Sequence, residues 1–200
     1  MNDQHSGYVH AVLTGQRGIW AMGLAAVIGA VLVVLVTRDM IDHVPLYDEL
    51  LHVLAAQGLL ESGAPVIGTG EYRRGELFTR AVAFSFERMG VDLVAARLPA
   101  LLATAALVAL IGAWVTRRAG LLAGIAAACV LALAPLTIQL AVIARFYTLH
   151  ALAATVLLIC AYEASIPARK LSARIGLGVL ALTALVVAWR LQPSTIIAAG

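Results

Sequence analysis

The sequence predicts an all-α, polytopic transmembrane helical protein of about five spans and the start of a sixth, with interfacial helices in its first outer loop. Three observations carry this expectation. Hydrophobic residues make up 62% of the 200 and charged residues only 12%, a balance that excludes a water-soluble globule. Residues 18–37, 98–116 and 119–144 contain no Asp, Glu, Lys or Arg, and a helix of about 20 residues spans roughly 30 Å, the thickness of the hydrocarbon layer. Nine of the eleven acidic residues fall within residues 38–95, so one loop differs in kind from the rest.

The whole chain reads as one transmembrane module. Its first apolar stretch, 18–37, lacks the basic start and small-residue cleavage site of a secretory signal and is too long for a signal core, so it is a retained span. Further spans are expected at about 96–116, 119–138, 146–163 and 172–190, with Leu191–Gly200 opening a sixth. Pro135 should end or kink the third, because proline removes a backbone donor and clashes with the preceding turn. Gly120 and Gly124 give a weak small-residue packing signal. In the outer loop, Pro45 fits a first helical turn, Tyr47–Glu61 has helix-forming content, and Gly63 followed by Pro65 stops it. Asp48, Glu49 and His52 share one face while Leu50, Val53 and Leu54 lie away from it, the pattern of a helix lying on a membrane surface. Val66–Gly75 is glycine-rich and expected to be irregular, and Leu77–Met89 reads as a second amphipathic helix.

Orientation follows from the short loops. Arg17, Arg117, Arg118, Arg169, Lys170 and Arg174 fall on one side if the spans alternate, and the opposite short loops hold only Arg145 and Arg190. Basic residues near helix ends are retained in the cytoplasm, which places the N-terminus inside and residues 38–95 outside the plasma (bacterial inner) membrane. The basic residues form no tract, and no nucleic-acid partner is expected. Cys129 and Cys160 lie in apolar runs and read as buried hydrophobes. Glu163, the sole acid after Asp92, reads as topological.

Chemistry has three candidate seats. Asp48-Glu49 can supply a general base, with the neighbour ordering it or holding a divalent cation, magnesium or manganese; the same pair is also a common solvated first turn favoured by the helix dipole. His52 would orient Asp48 from one turn away or sit in the headgroup layer. Tyr72-Arg73-Arg74-Gly75 suits a phosphate, since guanidiniums present a planar fork of donors and glycine permits close approach, while headgroup contact accounts for it equally well. In Arg145-Phe146-Tyr147, an ionisable group between apolar spans requires a partner, water or ligand unless it snorkels. Arg97 carries the same ambiguity. No nucleophile elbow, phosphate loop, dinucleotide fingerprint or metal-ligand spacing is present in the sequence.

Taken in order, Tyr47-Asp48-Glu49 with His52, Gly63-Ala64-Pro65, Tyr72-Arg73-Arg74-Gly75-Glu76-Leu77, Ala95-Ala96-Arg97-Leu98-Pro99 and Ala144-Arg145-Phe146-Tyr147-Thr148-Leu149 resemble the N-terminal part of a GT-C membrane glycosyltransferase. That superfamily includes protein O-mannosyltransferases and bacterial enzymes that move sugars such as aminoarabinose onto lipid A. The resemblance covers residues 18–190. It implies transfer of a sugar, with inversion, from a polyprenyl-phosphate donor to an envelope lipid, glycan or protein on the outer side of the membrane. It implies Asp48 as the base, with Glu49 as the second candidate catalytic residue. The candidate substrate-binding residues are His52, Tyr72, Arg73, Arg74, Arg97, Arg145 and Tyr147, with Arg73 or Arg74 near a place where related enzymes often have Lys-Pro. Such enzymes have more than five spans, so the chain is expected to be the N-terminal portion of a longer one. The alternatives from other classes are a non-catalytic assembly or transport subunit and a flippase-like component that binds lipid phosphate without a base.

Overall fold

A computed structural model describes residues 16–167 and 169–193. The chain forms α1 (Gln16–Thr37), α2 (Tyr47–Ser62), a hairpin of β1 (Val66–Ile67) and β2 (Gly70–Glu71), then α3 (Glu76–Met89), α4 (Leu93–Ala119), α5 (Leu121–Leu133), α6 (Pro135–Ala141), α7 (Tyr147–Ala164) and α8 (Leu171–Leu191). Four of these, α1, α4, α7 and α8, are long and apolar enough to cross a membrane, and α5 with α6 makes a fifth if that bent pair is one span. The break between them is a 65° bend at Pro135, which the missing proline N–H explains. The expected sixth span falls largely on residues 194–200, outside the described residues, and Leu191 instead closes α8.

Small residues set how closely the spans approach. A Cβ on Gly112 would stand 3.1 Å from Ala128 Cβ and 3.3 Å from the Ala25 carbonyl oxygen, and one on Gly124 would overlap Thr116 and stand 2.6 Å from the Gly112 carbonyl oxygen. Thus α1, α4 and α5 meet backbone to backbone. Gly120 takes no part in that packing; its φ of 94° turns the chain from α4 into α5. Val33, Leu101, Val108, Ala128 and Ala132 fill the seam. The outward faces of α1 and α8 expose Leu24, Val27, Val31, Ile175, Val179 and Leu182, a distribution compatible with a surrounding hydrocarbon layer.

A second core sits under the segment between α1 and α4, where Phe78, Val82 and Phe86 of α3 pack on Ala95, Ala96 and Ala100 of α4, with Phe146 and Leu191 closing it. Asp92 caps α4 by accepting from Ala95 N at 2.7 Å, and Gly63, at φ 77°, ends α2. Pro45 precedes α2 rather than entering its first turn. The stretch expected to be irregular instead forms the β1–β2 hairpin, paired Val66 to Glu71 and Ile67 to Gly70, because Gly68 takes the positive φ that a two-residue loop demands.

The orientation of α2 corrects the expectation. Of Asp48, Glu49 and His52, two turn inward: Glu49 and His52 are fully buried, while Leu50, Leu54 and Leu60 are exposed. The periodicity separated Glu49 and His52 from Leu50 and Leu54, but Asp48 stays open to solvent and Val53 packs on the core, and it is the Glu49–His52 face that packs on the protein.

Candidate functional site

The organising contact is a buried ion pair. Glu49 lies in the first turn of α2, and its Oε1 accepts from Leu46 N at 3.0 Å, so the side chain caps its own helix. Arg97, about one turn into α4, donates Nη2 to the same oxygen and Nε to Oε2, both at 2.9 Å. Ala144 N donates to Oε2 at 2.9 Å. The remaining Arg97 nitrogen, Nη1, donates to the carbonyls of Ile41 at 2.8 Å and His43 at 2.9 Å. Burial raises the Glu49 pKa, but the Arg97 guanidinium and two backbone N–H groups outweigh it and hold the carboxyl below its usual range. Glu49 therefore ties together the start of α2, the chain entering it, α4 and the segment just before Arg145.

Asp48 and Arg145 are placed by that junction. Arg145 is 4% exposed; its Nη1 donates to the Asp48 carbonyl at 3.1 Å and lies 3.3 Å from Asp48 Oδ2. Its Nη2 donates to Tyr147 Oη at 2.8 Å. The Asp48 side chain is 61% exposed, so a carboxylate open to solvent is anchored from behind by a buried cation. Arg145, not His52, holds Asp48.

His52 has other partners. Its Nδ1 pairs with Thr79 Oγ1 at 2.9 Å, and its ring sits edge-on to Tyr72 and Phe78, both with centroids 5.2 Å away. Burial, then the charges of Arg145 and Arg74, lower its pKa to about 3. His52 Nε2, Tyr72 Oη and Arg145 Nε are buried without a partner among the described residues. Burial pushes the Tyr72 phenol up, against the pull of Arg145 and Arg74. Neutral His52 gives a pH signature. An unfolded histidine with a pKa of 6.5 binds a proton that the folded one refuses, so stability falls as pH drops below 6.5 towards 3. From pH 7 to 5 this site alone should cost about 2 kcal/mol. Thermal unfolding across that range should show the loss, with a shallower slope in His52→Gln; equal slopes would mean that His52 does not titrate this way.

Arg74 and Arg145 approach one aromatic ring. Each guanidinium carbon lies 5.7 Å from the Phe146 centroid. Gly75 makes this possible: it starts α3 at φ 61°, and a Cβ there would stand 2.6 Å from Phe146 Cδ1. Arg73 turns away to Glu71, with Nε donating to Oε2 at 2.6 Å. Arg73 and Arg74 also line a cavity of about 370 Å³ with Gly75, Arg190, Leu191 and Gln192. Arg190 was absent from the sequence-derived set; its one signal was that it shares the sparsely charged side with Arg145. A separate apolar groove of about 210 Å³ runs between α7 and α8, lined by Leu149, Leu152, Val156, Leu180, Ala184 and Val187 among others. Leu180, Ala184, Val187 and Leu191 follow one face of α8 at three- and four-residue spacing, so the stripe that lines the groove ends at the arginine cavity.

The site thus unites Asp48, Arg74, Arg145, Tyr72 and Tyr147 around Phe146, with His52 behind them. It separates Glu49 and Arg97 as their support and leaves Arg73 at the rim. Glu49 has both oxygens engaged by nitrogen donors, so the two carboxylates do not fit a shared divalent cation; Asp48 alone would remain to ligate one. No family model matches the chain, and neither a curated protein nor a solved structure matches it.

Proposed function

We propose that this protein is a membrane glycosyltransferase of the GT-C type, which passes a sugar from a polyprenyl-phosphate donor to a hydroxyl or amine of an envelope lipid, glycan or protein. The observation that carries this reading is the junction of three features: the solvent-facing Asp48 carboxylate held by Arg145, the arginine-lined cavity, and the apolar stripe leading to it. An anionic headgroup on a long hydrocarbon tail matches the last two, because guanidiniums bind phosphate in a fork and the stripe takes the chain.

In the proposed reaction the acceptor oxygen or nitrogen attacks the anomeric carbon from the face opposite the phosphate. The bond from that carbon to the phosphate oxygen breaks, its electron pair leaves with the polyprenyl phosphate, and configuration inverts. Asp48 takes the proton that the acceptor loses. Arg74 and Arg145 would stabilise the charge growing on the leaving oxygen. Should a divalent cation bind, it would supply further charge stabilisation beside Asp48.

The proposed setting is the plasma (bacterial inner) membrane, with the N-terminus in the cytoplasm and Asp48 on the outer face. Single cysteines at Thr69 and Arg169 should then react with an impermeant thiol reagent from opposite sides of sealed vesicles, and same-side labelling would refute the arrangement. The function itself is tested by incubating purified protein with a polyprenyl-phosphate sugar and envelope acceptors. Sugar should leave the lipid and appear on an acceptor. Donor that binds but is never consumed would favour the flippase-like alternative.

A further inference from the structure

At the end of the bundle away from Asp48, one carboxylate is surrounded by guanidiniums. Glu163, 2% exposed near the end of α7, accepts from Trp114 Nε1 at 2.9 Å and Arg118 Nε at 3.0 Å, and also pairs with Arg118 Nη2 and Arg169 Nη2. Arg117 Nη2 stands 3.9 Å away. The residue expected to be merely topological thus joins the ends of α4 and α7 to the turn before α8.

The charges do not balance. Three guanidiniums face one carboxylate: Oε1 accepts from Trp114 and Arg118, Oε2 pairs with Arg169, and Arg117 stands outside hydrogen-bond distance. Glu163 is the only acidic side chain among the described residues outside 39–92. Arg169 Nε is buried with no partner among the described residues, and burial together with the charges of Arg117 and Arg118 lowers the Arg169 pKa. The surroundings are amphiphilic. Arg118 lies 5.0 Å over the Tyr162 ring, which meets Trp114 edge-on at 5.9 Å, and Leu122 and Leu171 stand 84% and 70% exposed on the first turns of α5 and α8. Aromatic side chains of this kind mark the membrane–water boundary.

We propose that Arg117, Arg118 and Arg169 form a second anion site, which holds the phosphate of an anionic membrane phospholipid beside Trp114. The phosphate oxygens accept the donors that Glu163 leaves over, the single phosphate charge compensates one of the two surplus charges, and the acyl chains cover Leu122 and Leu171. This site is independent of the transfer chemistry and lies at the opposite end of the spans from it.

The test is native mass spectrometry of the full chain in neutral detergent, with phosphatidylglycerol, phosphatidylcholine or inorganic phosphate as the probe. Phosphatidylglycerol should be retained about tenfold more strongly than phosphatidylcholine, as expected for charge-assisted bonds. Arg169→Gln should remove most of that preference. Arg117→Gln, at a half-exposed position peripheral to Glu163, should reduce it in a protein that still folds. Arg174→Gln is the control, because Arg174 lies at the same end but donates to the Ala164 carbonyl at 2.9 Å. It should leave the preference unchanged. Equal losses from Arg174→Gln and Arg117→Gln would mean collective basic charge and overturn the site. So would equal retention of the two lipids, and displacement of phosphatidylglycerol by millimolar inorganic phosphate would reassign the site to a free anion.

Discussion

Asp48→Asn should lower sugar transfer about a hundred- to ten-thousandfold, the usual contribution of a positioned base, while donor binding and folding stay close to wild type. Asparagine keeps the size of the side chain, and the Arg145 bond to the Asp48 backbone carbonyl is untouched. What is lost is the capacity to take a proton. The Asp48 side chain is open to solvent, so its replacement leaves no buried cavity, but it does remove the counter-charge of buried Arg145; the melting temperature is therefore measured beside turnover, and a loss of transfer at an unchanged melting temperature is a loss of chemistry. The measurement is single-turnover transfer in purified protein beside a donor-binding titration. Near-normal turnover would place the base elsewhere.

Glu49→Gln should act in the opposite register, on the fold first and on chemistry as a result. It removes the charge facing Arg97 and leaves that guanidinium buried without compensation, a change that costs about 3–5 kcal/mol. The melting temperature in detergent should fall by roughly 10 °C. Adding Arg97→Met should recover part of the loss, since an apolar side chain of similar length needs no counter-charge. Acid should mimic the substitution: Glu49 is held below the usual carboxylate range, so its contribution is complete above the ordinary glutamate pKa and is lost as pH falls through the folded value. If Glu49→Gln melts with the wild type, the pair is not what holds α2 to α4.

The contrast between these neighbouring residues shows where sequence reasoning reaches. The spans were legible because each is one continuous physical statement, an apolar run bounded by charge, and Pro135 announced the bend. The arginines that line the cavity were legible in part, as a local cluster at Arg73 and Arg74. The Glu49–Arg97 pair was not, because its partners are 48 residues apart and nothing local says that either will be buried. Helical periodicity showed that Glu49 and His52 share a face, yet it does not state which medium that face meets. In water the charged face turns outward, whereas at an apolar boundary the leucines do. Arg190 was missed for the same reason as the pairing of Arg97 with Glu49: only the tertiary return of α8 brings it beside Arg73 and Arg74.

The inverted seating of α2 has a consequence for how a ligand arrives. With Leu50, Leu54 and Leu60 facing outward, the helix would float, in the proposed membrane setting, at the level where hydrocarbon gives way to headgroups, and its apolar rim would fix the height of Asp48 like a waterline on a hull. A molecule dissolved in the bilayer would then meet the carboxylate by sliding sideways, with no climb into the aqueous phase. Its search would be two-dimensional, and its encounter rate would follow its density in the membrane plane.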